Sequence, residues 1–187
     1  MTGLSPSPRA MRTDMSDPVV VRAASPADAD AVGVLLLESY PPLLAPGYEP
    51  ALLARALPLM TKANPALLAS GTWYVAEGPG TDGALAGSGG WTLQRPGAAE
   101  ELVDPALGHL RHFAVHPAWT RRGVGRALFD RCMADARATG VSAFECYATT
   151  VAVPFYQALG FETVGPFAAR LGRDTDFPSI RMVCRIA

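Results

Sequence analysis

Two periodicities alternate along the chain. Val19 to Ala24 ("VVVRAA") is a short apolar run of the strand type, whereas "SPADADAVGVLLLESY" spaces its apolar residues as a helix does. Ser25 stands as the N-cap of that helix, Pro26 at its first position and Asp28 three residues after the cap. The Pro41-Pro42 pair predicts that it ends just before them. A Leu/Ala-rich helical stretch follows between Pro50 and Ser70, broken near Asn64-Pro65. "TWYVAE" (Thr72 to Glu77) and "LAGSGGWTLQ" (Leu85 to Gln94) read as two strands joined by the turn "GPGTDG". A loop from Pro96 to Pro105 carries Glu100, Glu101 and Asp104.

Strict alternation in "LGHLRHFAV" (Leu107 to Val115) predicts a strand with His109, Arg111, Phe113 and Val115 on one face and Leu110, His112 and Ala114 on the other. Beyond a glycine turn, Val124, Leu128, Cys132 and Ala136 recur at helical spacing, and Gly140 closes that helix. "VSAFECYA" is a strand, and "VAVPFYQALGF" a short helix that starts near Thr150, because Pro154 is tolerated only in a first turn. "ETVG" and "SIRMVCRI" are closing strands. Strands flank helices throughout and no repeat is present, which predicts one mixed α/β domain over residues 18–187. Residues 1–17, rich in Ser, Pro, Thr and Arg, read as a disordered leader, with Met11 or Met15 as alternative starts.

Composition narrows the class. Of 187 residues 49% are hydrophobic and 18% charged, with a net charge of −1, so general attraction to nucleic acid or an anionic membrane is not indicated. Arg121, Arg122, Arg126, Arg131 and Arg137 are interleaved with Asp130 and Asp135 and form no basic stripe. The longest apolar run, Ala31 to Leu37, falls far short of the ~20 residues a membrane span needs. No basic-then-apolar leader opens the chain, and the expectation is a soluble cytoplasmic protein. Cys132, Cys146 and Cys184 are odd in number and widely spaced, which predicts buried thiols and suggests neither a disulfide framework nor a metal site.

The chemistry concentrates in "HFAVHPAWTRRGVGRALF". A strand that enters a glycine turn and then a helix presents backbone N–H groups at the positive end of a helix dipole, a ready anion site. Gly123 and Gly125 keep side-chain bulk away from the backbone there, while Arg121 and Arg122 add local positive charge. Two common nucleotide motifs are excluded: the dinucleotide fingerprint needs a glycine where Leu128 stands, and the Gly-Lys-Ser/Thr of the P-loop is absent.

Together, "RHFAVHPAWTRRGVGRAL" and "ATTVAVPFYQALGF" resemble the coenzyme-A-binding core of the Gcn5-related N-acetyltransferase (GNAT) superfamily, over about Leu107 to Val164. The resemblance implies a mixed central sheet, splayed at the cofactor site and flanked by helices. The family's Gln/Arg-x-x-Gly-x-Gly/Ala pattern falls on Thr120 to Gly125, with both glycines matched and Thr120 departing at the first position. It implies that backbone N–H groups of Arg121, Arg122, Gly123, Val124, Gly125 and Arg126 hold the pyrophosphate of acetyl-CoA. The backbone of Phe113, Ala114 and Val115 would then line the pantetheine arm and orient the acetyl carbonyl. Phe155 belongs to the same cofactor-binding set, as does Thr149, which stands where relatives often carry Asn.

Tyr156 occupies the position of a tyrosine that protonates or hydrogen-bonds the departing thiolate. His109 matches the position of a catalytic glutamate and is the first candidate base, with Glu145 or ordered water as alternatives; His112, on the opposite strand face, reads as structural, and His116 lies in the turn. Glu38-Ser39-Tyr40, Tyr48, Trp73 and Trp91 lie where acceptors are chosen in the family, although the two tryptophans suit core packing equally well. The expected activity is transfer of an acetyl group from acetyl-CoA to an amine in a ternary complex, without a metal. A catalytically silent acyl-CoA sensor is the alternative, and the final strand makes a homodimer plausible by resemblance.

Overall fold

The structure, a computed structural model, describes residues 19–79, 83–96 and 103–186. The expected leader, the centre of the "GPGTDG" turn and the stretch containing Glu100 and Glu101 lie outside the described residues. Seven strands form one mixed sheet in the order β1-β2-β3-β4-β5-β7-β6. They are β1 (Val20–Ala23), β2 (Trp73–Glu77), β3 (Gly87–Thr92), β4 (Leu107–Val115), β5 (Ala143–Thr149), β6 (Glu162–Leu171) and β7 (Thr175–Arg185). Every neighbouring pair is antiparallel except β4 with β5.

The helices are α1 (Ala29–Leu44), α2 (Pro50–Met60), α3 (Pro65–Leu68), α4 (Val124–Thr139) and α5 (Val153–Ala158). They cover both faces of the sheet and divide the core in two. Val124, Leu128, Cys132 and Ala136 of α4 pack with Leu110, Phe144 and Cys146 on one face. Val32, Leu35 and Leu36 of α1, with Leu53 and Leu68, pack on Trp73, Val75 and Ala114 on the other. The four α4 residues, predicted from their spacing, are all but inaccessible to water. The three cysteines are buried and unbridged. Among the described residues no helix is long and apolar enough to cross a membrane.

Three sequence expectations need correction. α1 does not stop before Pro41 but runs through both prolines to Leu44. Its prolines fall in the last turn, where the fixed proline φ suits a helix, and the carbonyls they leave unbonded belong to the solvent-facing Leu37 and Glu38. Buried Tyr40 and Leu44 anchor that turn to the core. Second, β6 is far longer than "ETVG", because it forms a hairpin with β7 from Glu162↔Val183 to Leu171↔Thr175.

The third concerns β4. Its alternation is broken by a bulge: Ser88 pairs with Ala114 but Gly90 pairs with Arg111, so β4 carries one extra residue, and His112 takes a φ of +48°. As a result Leu110, Phe113 and Val115 turn toward the α4 face, while Ala114 joins the α1 face. His109 and Phe113 therefore do not share a face as strict alternation predicts.

Candidate active site

The pairing of β4 with parallel β5 covers only Leu107↔Ala143, Gly108↔Phe144 and His109↔Glu145. Beyond His109 the two strands part. The β5-facing backbone of β4 from Leu110 to Val115 has no strand partner among the described residues, and this opening lies in the middle of the sheet. Buried backbone polar groups call for partners, so a gap of this kind fits an extended, hydrogen-bonding ligand.

Past Val115 the chain turns through a short 3-10 segment, Pro117–Trp119, capped by His116, whose Nδ1 accepts from the Ala118 N–H at 3.2 Å. The same ring presents Nε2 to Glu38 Oε2 at 3.2 Å, linking the turn to α1. The Trp119 ring occupies the space that a side chain at Gly78 would need, and the Arg122 guanidinium lies 5.1 Å from its centre. Arg121 has a φ of +63° and Gly123, the N-cap of α4, one of +82°. The first bond into the helix is Ala127 N–H to the Gly123 carbonyl at 2.9 Å, so the N–H groups before Ala127 precede the helical ladder.

The two glycines serve different ends. No atom lies within 4 Å of a Cβ placed on Gly123, so the loop is open there and glycine answers the left-handed backbone. A Cβ on Gly125 would meet the Phe155 ring at 2.9 Å, so there glycine admits the neighbouring helix. Arg126 strengthens that junction by donating to the Ala158 carbonyl at 2.9 Å. Thr149 ends β5 and caps the turn that leads into α5.

Tyr156 projects from α5 into an aromatic enclosure, with ring centres 5.1 Å from Phe155, 5.3 Å from Phe161 and 6.5 Å from Phe113. Burial pushes its phenol well above the ordinary range, aided by Cys146, Tyr40 and Cys132, so the hydroxyl stays protonated at neutral pH. Through Phe113 and Phe155 it connects the parted strand with the glycine turn.

On the opposite face, His109 Nδ1 stands 3.2 Å from Glu145 Oε2, without the alignment of a hydrogen bond. Burial lowers the imidazole's basicity; Glu145 works against this, and Arg95 and Arg111 reinforce it. A neutral ring at physiological pH follows. Glu145 is held by the Arg181 guanidinium and by the Tyr147 hydroxyl, which donates to Oε2 at 3.0 Å.

Several acceptor-side candidates turn out to be committed elsewhere. Trp73 and Trp91 are both buried in the core, and Trp73 donates to Ser88 Oγ at 3.0 Å. The Tyr48 hydroxyl donates to the Pro178 carbonyl at 2.9 Å and accepts from the Thr150 N–H at 2.8 Å, pinning the segment after α1 to β7. Ser39, fully buried on α1, has no hydrogen-bond partner for its hydroxyl among the described residues. Sequence reasoning missed Trp119, Tyr147 and Arg181; alternation on β5 places Tyr147 beside Glu145, but only the β5–β7 register reveals Arg181.

None of the curated proteins compared matches this sequence. Among solved structures, the PaiA N-acetyltransferase of Thermoplasma acidophilum, in complex with coenzyme A, superposes with a TM-score of 0.66 at 14% identity, covering 90% of this chain and 99% of its own. A GCN5-related N-acetyltransferase from Rhodopseudomonas palustris gives 0.69 at 20% identity, covering 90% and 96%. A Mycobacterium tuberculosis protein in complex with CoA gives 0.57 at 21%, covering 90% and 99%. Residues 83–174, which hold the parted strand, the glycine turn and Tyr156, match the family model described as an acetyltransferase (GNAT) domain, and the chain belongs to the GNAT superfamily.

Proposed function

We propose that the protein is an N-acetyltransferase that moves an acetyl group from acetyl-CoA to an amine by direct attack in a ternary complex. The observation that carries this reading is the end of the β4–β5 ladder at His109 and Glu145, between the glycine turn on one side and Tyr156 on the other. Acetyl-CoA supplies an activated thioester; the remaining work falls to the chain. The N–H groups from Arg121 to Arg126, at the positive end of α4, suit the pyrophosphate, with Arg121 and Arg122 adding charge. The β5-facing backbone from Phe113 to Val115, which has no strand partner among the described residues, suits the pantetheine arm and the acetyl carbonyl, on whose oxygen negative charge develops during attack.

His109 takes the proton that the amine must lose, since an alkylammonium is almost wholly protonated at neutral pH. Its depressed basicity keeps it ready to accept. As the amine nitrogen bonds to the carbonyl carbon and the carbon–sulfur bond breaks, the Tyr156 hydroxyl donates toward the departing sulfur. Thr149 at the end of β5 and Phe155 beside Gly125 complete the cofactor side.

The test is release of the CoA thiol, followed with a thiol reagent, when the purified protein is given acetyl-CoA and a panel of amines. Amine-dependent release supports the enzyme. Acetyl-CoA binding with no release for any amine favours the silent sensor.

A further inference from the structure

Arg111 is the one arginine among the described residues that is not exposed, and it has no ion-pair partner among them. The contrast is direct: exposed Arg22, Arg126, Arg131, Arg170 and Arg181 each face a carboxylate. Drawing a guanidinium partly out of water without a counter-charge is costly, and here burial lowers even arginine's basicity.

Its position gives that cost a purpose. Arg111 lies at the β4 bulge, two residues from His109 and next to left-handed His112, and its charge is felt by both imidazoles. Arg95 acts on His109 too, its guanidinium 5.6 Å from the centre of the Tyr147 ring and 5.8 Å from that of Phe167. Arg181 completes the group on neighbouring β7. Among the described residues the one carboxylate in this cluster is Glu145, and its oxygens are taken by Arg181, Tyr147 and the edge of His109. Among the described residues the cluster therefore holds more positive than negative charge beside the candidate base.

We propose that the acceptor is an amino acid or a close relative, whose carboxylate is seated by Arg111 while its amine faces His109. This rests on the acetyl-transfer reading and adds the substrate class to it. A carboxylate completes the ion pair that Arg111 lacks, and the guanidinium can receive it through two parallel hydrogen bonds.

The experiment compares initial rates of CoA release with a pool of the common amino acids and with the same pool as carboxamides, both below saturation. The amine of an amino-acid amide is the weaker base and more of it is free at neutral pH, so intrinsic reactivity favours the amides. Preference for the acids by tenfold or more is expected, the effect of one charge-assisted hydrogen bond of about 1.5–3 kcal/mol. Arg111→Gln is expected to erase that preference through KM for the acid, with KM for acetyl-CoA unchanged, and Arg111→Lys to restore part of it. Equal or faster transfer to amides or to polyamines, or an unchanged preference in Arg111→Gln, overturns the proposal. If no amine is acetylated, the transfer reading itself fails. The carboxylate site is then judged by calorimetric binding of N-acetyl amino acids against their amides: wild-type preference for the acids, lost in Arg111→Gln, supports it, and no preference overturns it.

Discussion

His109 and Glu145, 3.2 Å apart between Nδ1 and Oε2, form the last matched pair between β4 and β5 before the strands separate. One relationship thus marks both where the sheet opens and where a proton acceptor stands. The carboxylate opposes the desolvation that makes His109 a poor base, and the arginines around it act in the other direction. These opposed influences define the expected pH response.

Activity should rise as pH increases through an apparent pKa below that of an ordinary histidine, because the neutral imidazole is the active form. Glu145→Gln removes the influence that raises His109, so its acidic limb should move to lower pH. His109→Gln should lose the limb and lower kcat/KM by roughly a hundredfold. Profiles of kcat/KM for the three proteins check the assignment; an unchanged limb in His109→Gln would place the proton acceptor elsewhere, with ordered water the natural candidate.

Tyr156→Phe deletes one hydroxyl and keeps the ring in its edge-to-face contacts with Phe113, Phe155 and Phe161. Turnover is expected to fall by roughly tenfold to a hundredfold with acetyl-CoA affinity nearly unchanged. Because burial raises the phenol's pKa, no basic limb from Tyr156 should appear near neutrality in the wild type. Steady-state kinetics and calorimetry together separate the two effects; unaltered turnover would remove Tyr156 from the chemistry.

Gly125→Ala should destabilise the fold by about 1–3 kcal/mol, since its Cβ would meet the Phe155 ring at 2.9 Å and one helix must shift against another. Thermal unfolding measures it. A neutral effect would mean that the α4–α5 junction yields more easily than its packing indicates.

The start of α1 offers a separate test of electrostatics. Asp28 accepts from the Ser25 N–H at 2.7 Å and pairs with Arg22 at 2.7 Å, and these contacts, Arg22 first, lower its pKa to about 2. A carboxyl held below its unfolded pKa of about 3.9 contributes stability that is fully present above that value and is lost as pH falls toward 2. Arg22 is 40% exposed, so the loss in Asp28→Asn should be only about 1 kcal/mol at pH 7. Chemical denaturation at pH 7 and pH 3 should show the gap between the two proteins narrowing at the lower pH; a constant gap would assign the effect to packing.

The sequence carried the elements that local chemistry dictates. The α4 stripe, its C-terminal glycine, the Ser25 start and the Pro154 constraint on α5 each depend on a few adjacent residues, and the structure has all of them. What escaped depends on partners distant in the chain. The β4 bulge exists only as a mismatch of register with β3, so strict alternation placed Phe113 with His109 although the two point to opposite faces. Pro41 and Pro42 were overruled by the burial of Tyr40 and Leu44. The setting of Glu145 is similar: its residue type was visible, but Arg181 reaches it from β7, 36 positions away. Arg111 is one strand residue among nine in the sequence, and only the structure shows it half-buried with no ion-pair partner among the described residues.

The central claim is best tested by calorimetric titration of the purified protein with acetyl-CoA, repeated with Gly123→Val. Gly123 has open space around it but a φ of +82°, which a β-branched residue resists at a cost of about 1–2 kcal/mol or more, so the change strikes the turn rather than the core. The account predicts saturable binding at one site per chain, weakened at least tenfold by Gly123→Val while the protein remains folded. Failure of the unmodified protein to bind acetyl-CoA would contradict it.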